Sequence, residues 1–567
     1  MKKITIKING KKIRAEEGRT ILRIARENGI DIPTLCHHPD LPPQATCRLC
    51  LVEIKGYALP QTACSTMALE GMEIISESPE LAGLRKTNLE LLFSQHREEC
   101  DDCVWDGKCA LLRLAEKYKV NLTRLSDRKD DWPVFNMRPQ EGDTVLQFDS
   151  SKCVDCRNCV EICPVGYLEI IEEAGFHKIA PSKSKQCIFC GQCLTHCPSG
   201  AFEAEGEFEK IDAALAENTK GKTVVFQFAP SIRTSIGEEF GLRPGEVTTN
   251  KIVGGLKQIG AKFVFDVSVG ADFTTIEEAK ELLEKLEKNS DKILFSSCCP
   301  AWVRYIECYW PEFTANLATA SPPHIILGRL LKTYWARKND LSPENIAVIS
   351  IMPCVAKKYE IQRKEHFIEW HGKELRPVDY VLTTRELARL FQKRKIDFKK
   401  IKEQNPDTPF GQPSGAGVIY GASGGVMESA LRSAAKKLNL KKLEIASVRG
   451  QQGIKTNELM INGKKMRLAV VNGIANAEKI LRELKQNPTA YSCCEIMACP
   501  GGCIGGGGQP MPVSSEIRQA RADGLYQIDK KLRQRTADEN PAVKQVYEEF
   551  LTDDQTIEKI CHTKYKN

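Results

Sequence analysis

The sequence predicts an α/β domain with largely parallel sheets from about residue 210 onward, preceded by small α+β domains that hold most of the cysteines. Three observations predict it. Of 24 cysteines, 15 fall before residue 200, many of them in close, regular spacing. Beyond about residue 210, short apolar strands alternate with helical stretches, the pattern of a parallel sheet with crossover helices. Near the end, Glu495–Pro510 sets Cys499 and Cys503 in a run with six glycines. Glycine gives up packing and backbone order, so such a run implies that the backbone approaches something bulky.

The totals narrow the function class. A chain of 567 residues suggests a few domains, and 42% hydrophobic residues are enough to bury a large core. The net charge of +7, over 81 basic and 74 acidic residues, is too mild to imply nucleic acid. It leaves room for a weakly basic face toward an acidic partner. Met1–Ile8 alternates like a strand and has no apolar signal core. No run of about 18 apolar residues suggests a membrane span. A secreted disulfide scaffold would be short and carry a signal peptide. The thiols therefore read as metal ligands of a cytoplasmic protein.

Residues 1–79 read as a β-rich domain. Lys3 to Ile8 alternates, Asn9-Gly10 is a hairpin turn, Lys11 to Ala15 continues, and Thr20 to Asn28 has helical spacing. Cys36, Cys47, Cys50 and Cys64 follow. One thiol, a close pair and a distant fourth resemble the plant-type ferredoxin site for a 2Fe–2S cluster, with a first gap of ten residues rather than four. Zinc is the alternative, but four-Cys zinc sites usually come as two close pairs. Residues 80–126 hold His96, Cys100, Cys103 and Cys109, interspersed with Asp101, Asp102 and Asp106, then a helix-like stretch from Leu111. Three thiols do not complete a cluster, and His96 is the one nearby imidazole. The spacing resembles a His/Cys3 4Fe–4S segment found in complex I and in some hydrogenases. Residues 127–150, with Trp132-Pro133 and Arg138-Pro139, read as a connector.

The strongest local signal lies in the domain expected over 140–209. Cys153, Cys156, Cys159 and Cys163 form a C-x2-C-x2-C-x3-C-P run, and Cys187, Cys190, Cys193 and Cys197 repeat it. This is the bacterial ferredoxin pattern, in which the fourth cysteine ligates the other cluster. Cluster one is therefore assigned Cys153, Cys156, Cys159 and Cys197, and cluster two Cys187, Cys190, Cys193 and Cys163.

The final domain is expected over 210–567. Strands are predicted at Thr223–Phe228, running into Pro230 and Ser231; at Lys262–Val267, running into a loop at Ser268 and Gly270; at Lys292–Phe295, running into Cys298 and Cys299; and at Ile346–Ile351, running into Cys354. A helix is predicted over Thr275–Glu287. In parallel sheets ligands sit beyond the carboxyl ends of the strands, where these cysteines could join Cys499 and Cys503. Residues 520–567 read as charged and helical and say little about function.

Ser297-Cys298-Cys299-Pro300, the segment Met352–Glu360 around Cys354 and Lys357, and the segment Glu495–Cys503 resemble, in order, the three active-site motifs of the iron-only (FeFe) hydrogenases. The N-terminal modules resemble those of the large monomeric clostridial type. The resemblance implies one 2Fe–2S cluster, three accessory 4Fe–4S clusters and an H-cluster. In the H-cluster a 4Fe–4S cube held by Cys299, Cys354, Cys499 and Cys503 joins a diiron unit through Cys503. The diiron unit carries CO, CN⁻ and azadithiolate ligands and is inserted by maturation proteins. The resemblance also implies a pocket of Pro230, Ser231, Met352, Met497, His324 and Lys357. Lys357 and Ser231 suit an anionic cyanide, and the two methionines suit CO. Proton transfer falls to Cys298, Glu278, Glu281 and Glu360. Glu278 and Glu281 share one helix face.

The chain departs from the family pattern at Ser296 for Thr, at Ala356 for a cyanide-binding Ser, at His324 for Gln, and at Ala318 for a relay Ser whose place Thr319 or a water could take. Cys308, Cys493, Cys494 and Cys561 match no ligand position and read as small buried apolar residues. A second reading is an electron-transfer subunit, which would not need Cys298, Cys354 or the glycine-rich segment. A third is a sensor of the same domain, which would tend to lose Cys298 or a ligand. The expected partners are ferredoxin, H2 and protons, with an NAD(P)H-linked complex as the alternative to ferredoxin. No flavin or dinucleotide fingerprint is present, and no nucleic acid or membrane is expected.

Overall fold

A computed structural model of the chain describes residues 2–94, 96, 100, 103, 105, 107–122, 134–140, 142–173, 176–204, 206–218, 221–288, 292–439, 448–461 and 464–565. Asp101, Asp102, Asp106 and Trp132-Pro133 lie outside the described residues. Contacts divide the chain into one unit of Met1–Met137, Gln147–Lys185 and His196–Glu203, and another of Arg138–Leu146, Gln186–Thr195 and Ala204–Asn567. The stretch expected as one domain over 140–209 is thus shared between them.

In the first unit the opening alternation forms a hairpin, Lys3–Ile8 against Lys11–Glu16, with Ile6 opposite Ile13. Asn9 (φ 49°) and Gly10 (φ 80°) make its turn, both left-handed as a tight hairpin of this twist requires. Ile4, Ile6, Ile8 and Ile13 point inward and are buried. The helix Ile21–Glu27 starts where the Thr20 hydroxyl accepts the Arg23 amide. The sheet runs in the order Lys11–Glu16, Lys3–Ile8, Glu73–Ile75, Leu51–Ile54, Gln61–Thr62. Arg85, fully buried on the helix Pro79–Phe93, donates to the carbonyls of Leu49, Leu51 and Ser76. A buried guanidinium needs such acceptors, and these three tie the helix to the loop carrying Cys50.

The second unit is built on two four-stranded sheets. One is wholly parallel, in the order Phe263–Asp266, Thr223–Phe228, Ile346–Met352, Tyr380–Thr383. Every residue of Thr223–Phe228 is buried, as expected for a strand covered on both faces. The other runs Leu294–Phe295, Cys493–Met497, Lys464–Asn472, Ile454–Ile461, with only the last pair antiparallel.

Two expectations are corrected here. The strand predicted over Lys262–Val267 ends at Asp266, and no loop follows. Asp266 accepts the Ser268 amide and caps a helix that runs from Val267 to Glu287. Gly270 lies inside that helix, where a Cβ would stand 2.2 Å from the Pro323 carbonyl oxygen. Its absent side chain serves helix packing, not a turn. The strand predicted over Lys292–Phe295 shrinks to Leu294–Phe295. The tail is helical, as expected. Its helices Ser515–Lys531, Pro541–Glu549 and Asp554–Cys561 bury Arg521, Asp529, Ile560 and Cys561, and His562 bridges to Ala320 as an antiparallel pair. Among the described residues, no helix is long and apolar enough to cross a membrane.

Candidate active site

Four strand ends of the second unit deliver the site. Thr223–Phe228 leads into a turn at Pro230–Thr234, Leu294–Phe295 into Cys298 and Cys299, Ile346–Met352 into Cys354, and Cys493–Met497 into Cys499. Cys299 starts the helix Pro300–Tyr309, and its sulfur accepts the Ala498 amide at 3.5 Å. Gly501 (φ 75°) and Gly502 (φ 89°) turn the chain back so that Cys503 faces the same place as Cys499. Burial, then neighbouring thiols, drive Cys354 and Cys499 far above the ordinary thiol range and Cys503 up to about 12. Cys299 and Cys503 act on Cys354, while Cys354, Cys190, Cys299 and Cys503 act on Cys499. Four thiols crowded in a dry site beside one ammonium, Lys357, cannot all ionise alone. They suit a cationic iron cluster, which supplies the missing positive charge.

The glycine run also serves packing between backbones. A Cβ on Gly505 would stand 2.2 Å from the Pro500 oxygen, on Gly506 2.3 Å from the Pro353 oxygen, and on Gly507 2.5 Å from the Cys190 oxygen. These glycines let the Cys503 loop close-pack on the backbones that carry Cys354 and Cys190. Arg304 holds the latter segment by donating to the Cys187 carbonyl at 2.7 Å and lying over the Phe189 ring.

The Ser231 hydroxyl, in the turn after Thr223–Phe228, is fully buried and has no hydrogen-bond partner among the described residues. An orphaned buried donor of this kind is costly unless a ligand accepts from it, and a cyanide would. Lys357, also buried, donates to the Cys298 carbonyl at 3.1 Å and to Glu360 at 2.7 Å. Burial pushes Glu360 up, but the Lys357 ammonium and the His324 hydrogen bond outweigh it and hold Glu360 at about 2. His324 spends Nε2 on Glu360 and places Nδ1 3.3 Å from the Ser350 hydroxyl. It therefore buttresses Lys357 through Glu360. Pro230 accepts from Arg233 through its carbonyl. Met352 and Met497 are buried, and Met497 packs with Ala271, Tyr420, Val426, Cys298 and Cys299.

Cys298 and Glu278 lie close enough that the Glu278 charge, after burial, raises the Cys298 thiol. Glu278 itself is raised by burial first, then by Glu281 and Glu495, to about 8. One of its oxygens lies 3.4 Å from the Tyr420 hydroxyl, and the other has no partner among the described residues. A small cavity lined by Glu278, Ser296, Ala318, Cys493 and Cys494 adjoins it, on the side where Ala318 lacks the hydroxyl that a serine would supply. Glu281 accepts from the Thr319 hydroxyl at 2.7 Å and from the amides of Thr319 and Ala320 at 3.0 Å each. Cys493, Cys494 and Cys561 are buried and Cys308 is half-buried; none joins the four thiols.

Sequence reasoning missed Tyr420, Glu495 and His562. Glu495 is buried and clamps the start of a helix by accepting the Gly424 and Met427 amides. Its place inside the third motif was the available signal. Tyr420 and His562 sit in no motif, and only the fold brings them near the helix carrying Glu278.

In the first unit Cys36, Cys47, Cys50 and Cys64 are all buried, with Cys36 close enough to Cys47, and Cys50 to Cys64, to perturb each other's ionisation. His96 Nδ1 donates to the Lys152 carbonyl at 3.0 Å. That fixes the tautomer and leaves the lone pair on Nε2, as a ligating histidine requires. Cys103 feels Cys109, and Trp105 donates from its amide to Cys103 and from its indole to the Cys197 carbonyl. Cys153, Cys156 and Cys197 lie within electrostatic reach of one another, and Cys36 acts on Cys156. Cys187, Cys190 and Cys193 belong to the second unit and Cys163 to the first.

Comparisons with known proteins bear on this geometry. Residues 222–507 match the family model described as iron only hydrogenase large subunit, C-terminal domain, and 515–567 match iron hydrogenase small subunit. Residues 1–79 match a 2Fe–2S iron–sulfur cluster binding domain and 135–202 a 4Fe–4S dicluster domain. Residues 85–124 match the NADH-ubiquinone oxidoreductase-G iron–sulfur binding region. The chain is 38% identical to iron hydrogenase 1 of Clostridium pasteurianum, over 99% of this chain and 100% of that one. It is 34% identical to the NADP-reducing hydrogenase subunit HndD of Solidesulfovibrio fructosivorans, over 100% and 99%. A solved structure of apo FeFe-hydrogenase HydA1 from Chlamydomonas reinhardtii, in a cysteine-to-histidine variant, aligns with a TM-score of 0.58 at 33% identity, covering 64% of this chain and 99% of that one.

Proposed function

This chain belongs to the iron-only (FeFe) hydrogenase family, and we propose that it catalyses the reversible reduction of protons to H2 with electrons relayed from ferredoxin through four accessory clusters. The observation that carries this reading is the convergence of Cys299, Cys354, Cys499 and Cys503 within electrostatic reach of one another, with Cys298 next to Cys299 and with Lys357 acting on the group. When bound, the H-cluster supplies the metal site at which protons and electrons combine. The protein's residues do the rest. Cys299, Cys354, Cys499 and Cys503 hold the cube. Lys357, kept charged by Glu360, and Ser231 offer donors to cyanide. Met352 and Met497 exclude water from the CO side. Cys298 and Glu278 move protons, Glu278 as a carboxylic acid near its midpoint at neutral pH.

Electrons enter through the 2Fe–2S site of Cys36, Cys47, Cys50 and Cys64 and through the site of His96, Cys100, Cys103 and Cys109. The influence of Cys36 on Cys156 and the Trp105 bridge from Cys103 to Cys197 support two inputs that meet at cluster one. Cluster two, assigned Cys163, Cys187, Cys190 and Cys193 by spacing, is the last step, since the Cys190 backbone packs on Gly507 beside the four thiols. Maturation proteins insert the diiron unit, and the chain works in the cytoplasm. A multi-subunit complex using NAD(P)H is the second reading of the partner, favoured by the similarity to the NADP-reducing subunit.

Iron content tests the assignment. Five clusters and the diiron unit require about 20 iron atoms per chain, so a fully active preparation holding iron for only two clusters would overturn it.

A further inference from the structure

Beside Glu278 lies a row of hydroxyls that no motif marks. Thr275 sits one turn before Glu278 on the helix Val267–Glu287. Tyr420 follows the short helix Gly415–Ile419, and Ser429 lies on the helix Gly425–Lys437. Thr275 and Ser429 are fully buried, and Tyr420 is buried. The Thr275 hydroxyl lies 2.8 Å from the Ala271 carbonyl oxygen, 2.9 Å from the Tyr420 hydroxyl and 2.9 Å from the Ser429 hydroxyl. The Tyr420 hydroxyl in turn reaches Glu278 Oε2 at 3.4 Å. Where Ala318 offers Glu278 no hydroxyl, Tyr420 does.

The row can be satisfied in two ways, because a hydroxyl has one proton and two acceptor pairs. When Glu278 is a neutral acid, it donates to the Tyr420 oxygen, Tyr420 donates to Thr275, and Thr275 donates to the Ala271 carbonyl. When Glu278 is ionised, Tyr420 donates to the carboxylate and Thr275 donates to Tyr420. The Ala271 carbonyl then keeps only its helical bond. Ser429 donates to Thr275 in both states. Each hydroxyl keeps its own proton and only turns about its C–O bond, so no side chain shifts and no proton passes along the row. Burial, then the Glu278 charge, hold Tyr420 far above the ordinary phenol range, so it remains a donor throughout. The Tyr420–Glu278 contact is the loosest link, and it becomes charge-assisted, hence shorter, when Glu278 ionises.

Resting on the hydrogenase reading, we propose that Tyr420, backed by Thr275 and Ser429, is a positioning residue that satisfies Glu278 in both of its protonation states and so lets it take up and release protons without rearrangement. A buried carboxylate with no donor is costly, and the other ionisable groups facing Glu278 do not lower that cost. Glu281 on the same helix and Glu495 on the strand Cys493–Met497 oppose its charge. Cys298 and Cys493 also feel that charge, and thiols are weak donors.

Infrared titration of the matured enzyme tests the proposal. The Glu278 carboxyl band is the one lost in Glu278→Gln, and its pH midpoint reports the ionisation directly. Tyr420→Phe costs the ionised form more than the neutral one, so the midpoint should rise by roughly one pH unit. Thr275→Val leaves Tyr420 in place but without its backing donor and should raise the midpoint less. Thr275→Ser keeps the hydroxyl and should keep the parent midpoint. Turnover carries a sign as well. An acid that ionises less readily accepts protons from Cys298 less readily, so in Tyr420→Phe H2 oxidation below the midpoint should fall about tenfold, and H2 evolution should fall less. A Tyr420→Phe midpoint equal to that of the parent, or a Thr275→Ser midpoint displaced as far as that of Thr275→Val, would overturn the proposal. Failure of the parent itself to turn over H2 would instead sink the hydrogenase reading, and the midpoints would still decide the hydroxyl row.

Discussion

Glu278→Gln separates proton transfer from structure at the most perturbed carboxyl of the path. The amide keeps the shape and the contact to the Tyr420 hydroxyl but cannot carry a proton. Burial and the charges of Glu281 and Glu495 raise Glu278 from 4.5 to about 8. Because the folded value exceeds the unfolded one, the folded protein holds a proton that the unfolded chain has lost. The associated stability is full below about pH 4.5, declines as the pH rises toward 8, and is gone above it. A shift of that size corresponds to roughly 5 kcal/mol. The variant has no such loss, so its thermal midpoint relative to the parent should climb between pH 5 and pH 8 and then level off. Activity should move the other way, falling by ~10²–10⁴-fold, the usual contribution of a general acid–base group. The assay is H2 evolution from a reduced dye, with thermal melts from pH 5 to pH 9 on the same samples. Parent-like turnover would refute the relay role of Glu278, and parallel melting curves would refute the buried-acid argument.

Two further outcomes follow from the same geometry. Cys298→Ala should lower turnover by at least about 10²-fold with CO and CN⁻ infrared bands retained, and Cys298→Asp should keep more activity than Cys298→Ser because it can ionise; Cys299→Ala, by contrast, should lose cube and diiron unit together. His96→Ala should change one reduced-cluster EPR signal and slow electron exchange with ferredoxin while leaving the active-site bands in place, and an unchanged spectrum would return His96 to an ordinary buried histidine.

The parts of this molecule legible in its sequence are those where chemistry fixes spacing. Thiol spacing pointed to a ligand set in each N-terminal module, and the strand Thr223–Phe228 was legible from its apolar run and the turn after it. The helix Val267–Glu287 was legible only from Thr275 on. Its first two turns are buried on all sides, the polar Ser268, Asp272 and Thr274 included, so they carry no amphipathic period and read as strand and loop. The glycine run was visible, but its packing role was not. Close approach between Gly507 and the Cys190 backbone joins positions more than 300 residues apart, and no local pattern encodes that. His562 illustrates the same limit. Its place beside Thr319 depends on a backbone register with Ala318–Ser321, and a single histidine in a charged tail has no spacing to betray it.

The central claim is that the four thiols, Lys357 and Ser231 enclose a diiron unit with CO and CN⁻ ligands. Infrared spectroscopy of the protein after maturation tests it most directly, because protein, water and iron–sulfur clusters are transparent where metal-bound CO and CN⁻ absorb. The expected result is a set of both band types, with the CN⁻ bands shifting in Lys357→Asn and in Ser231→Ala as a hydrogen-bond donor is withdrawn. A fully iron-loaded, matured protein that shows neither band would contradict the account and leave an electron-transfer subunit in its place.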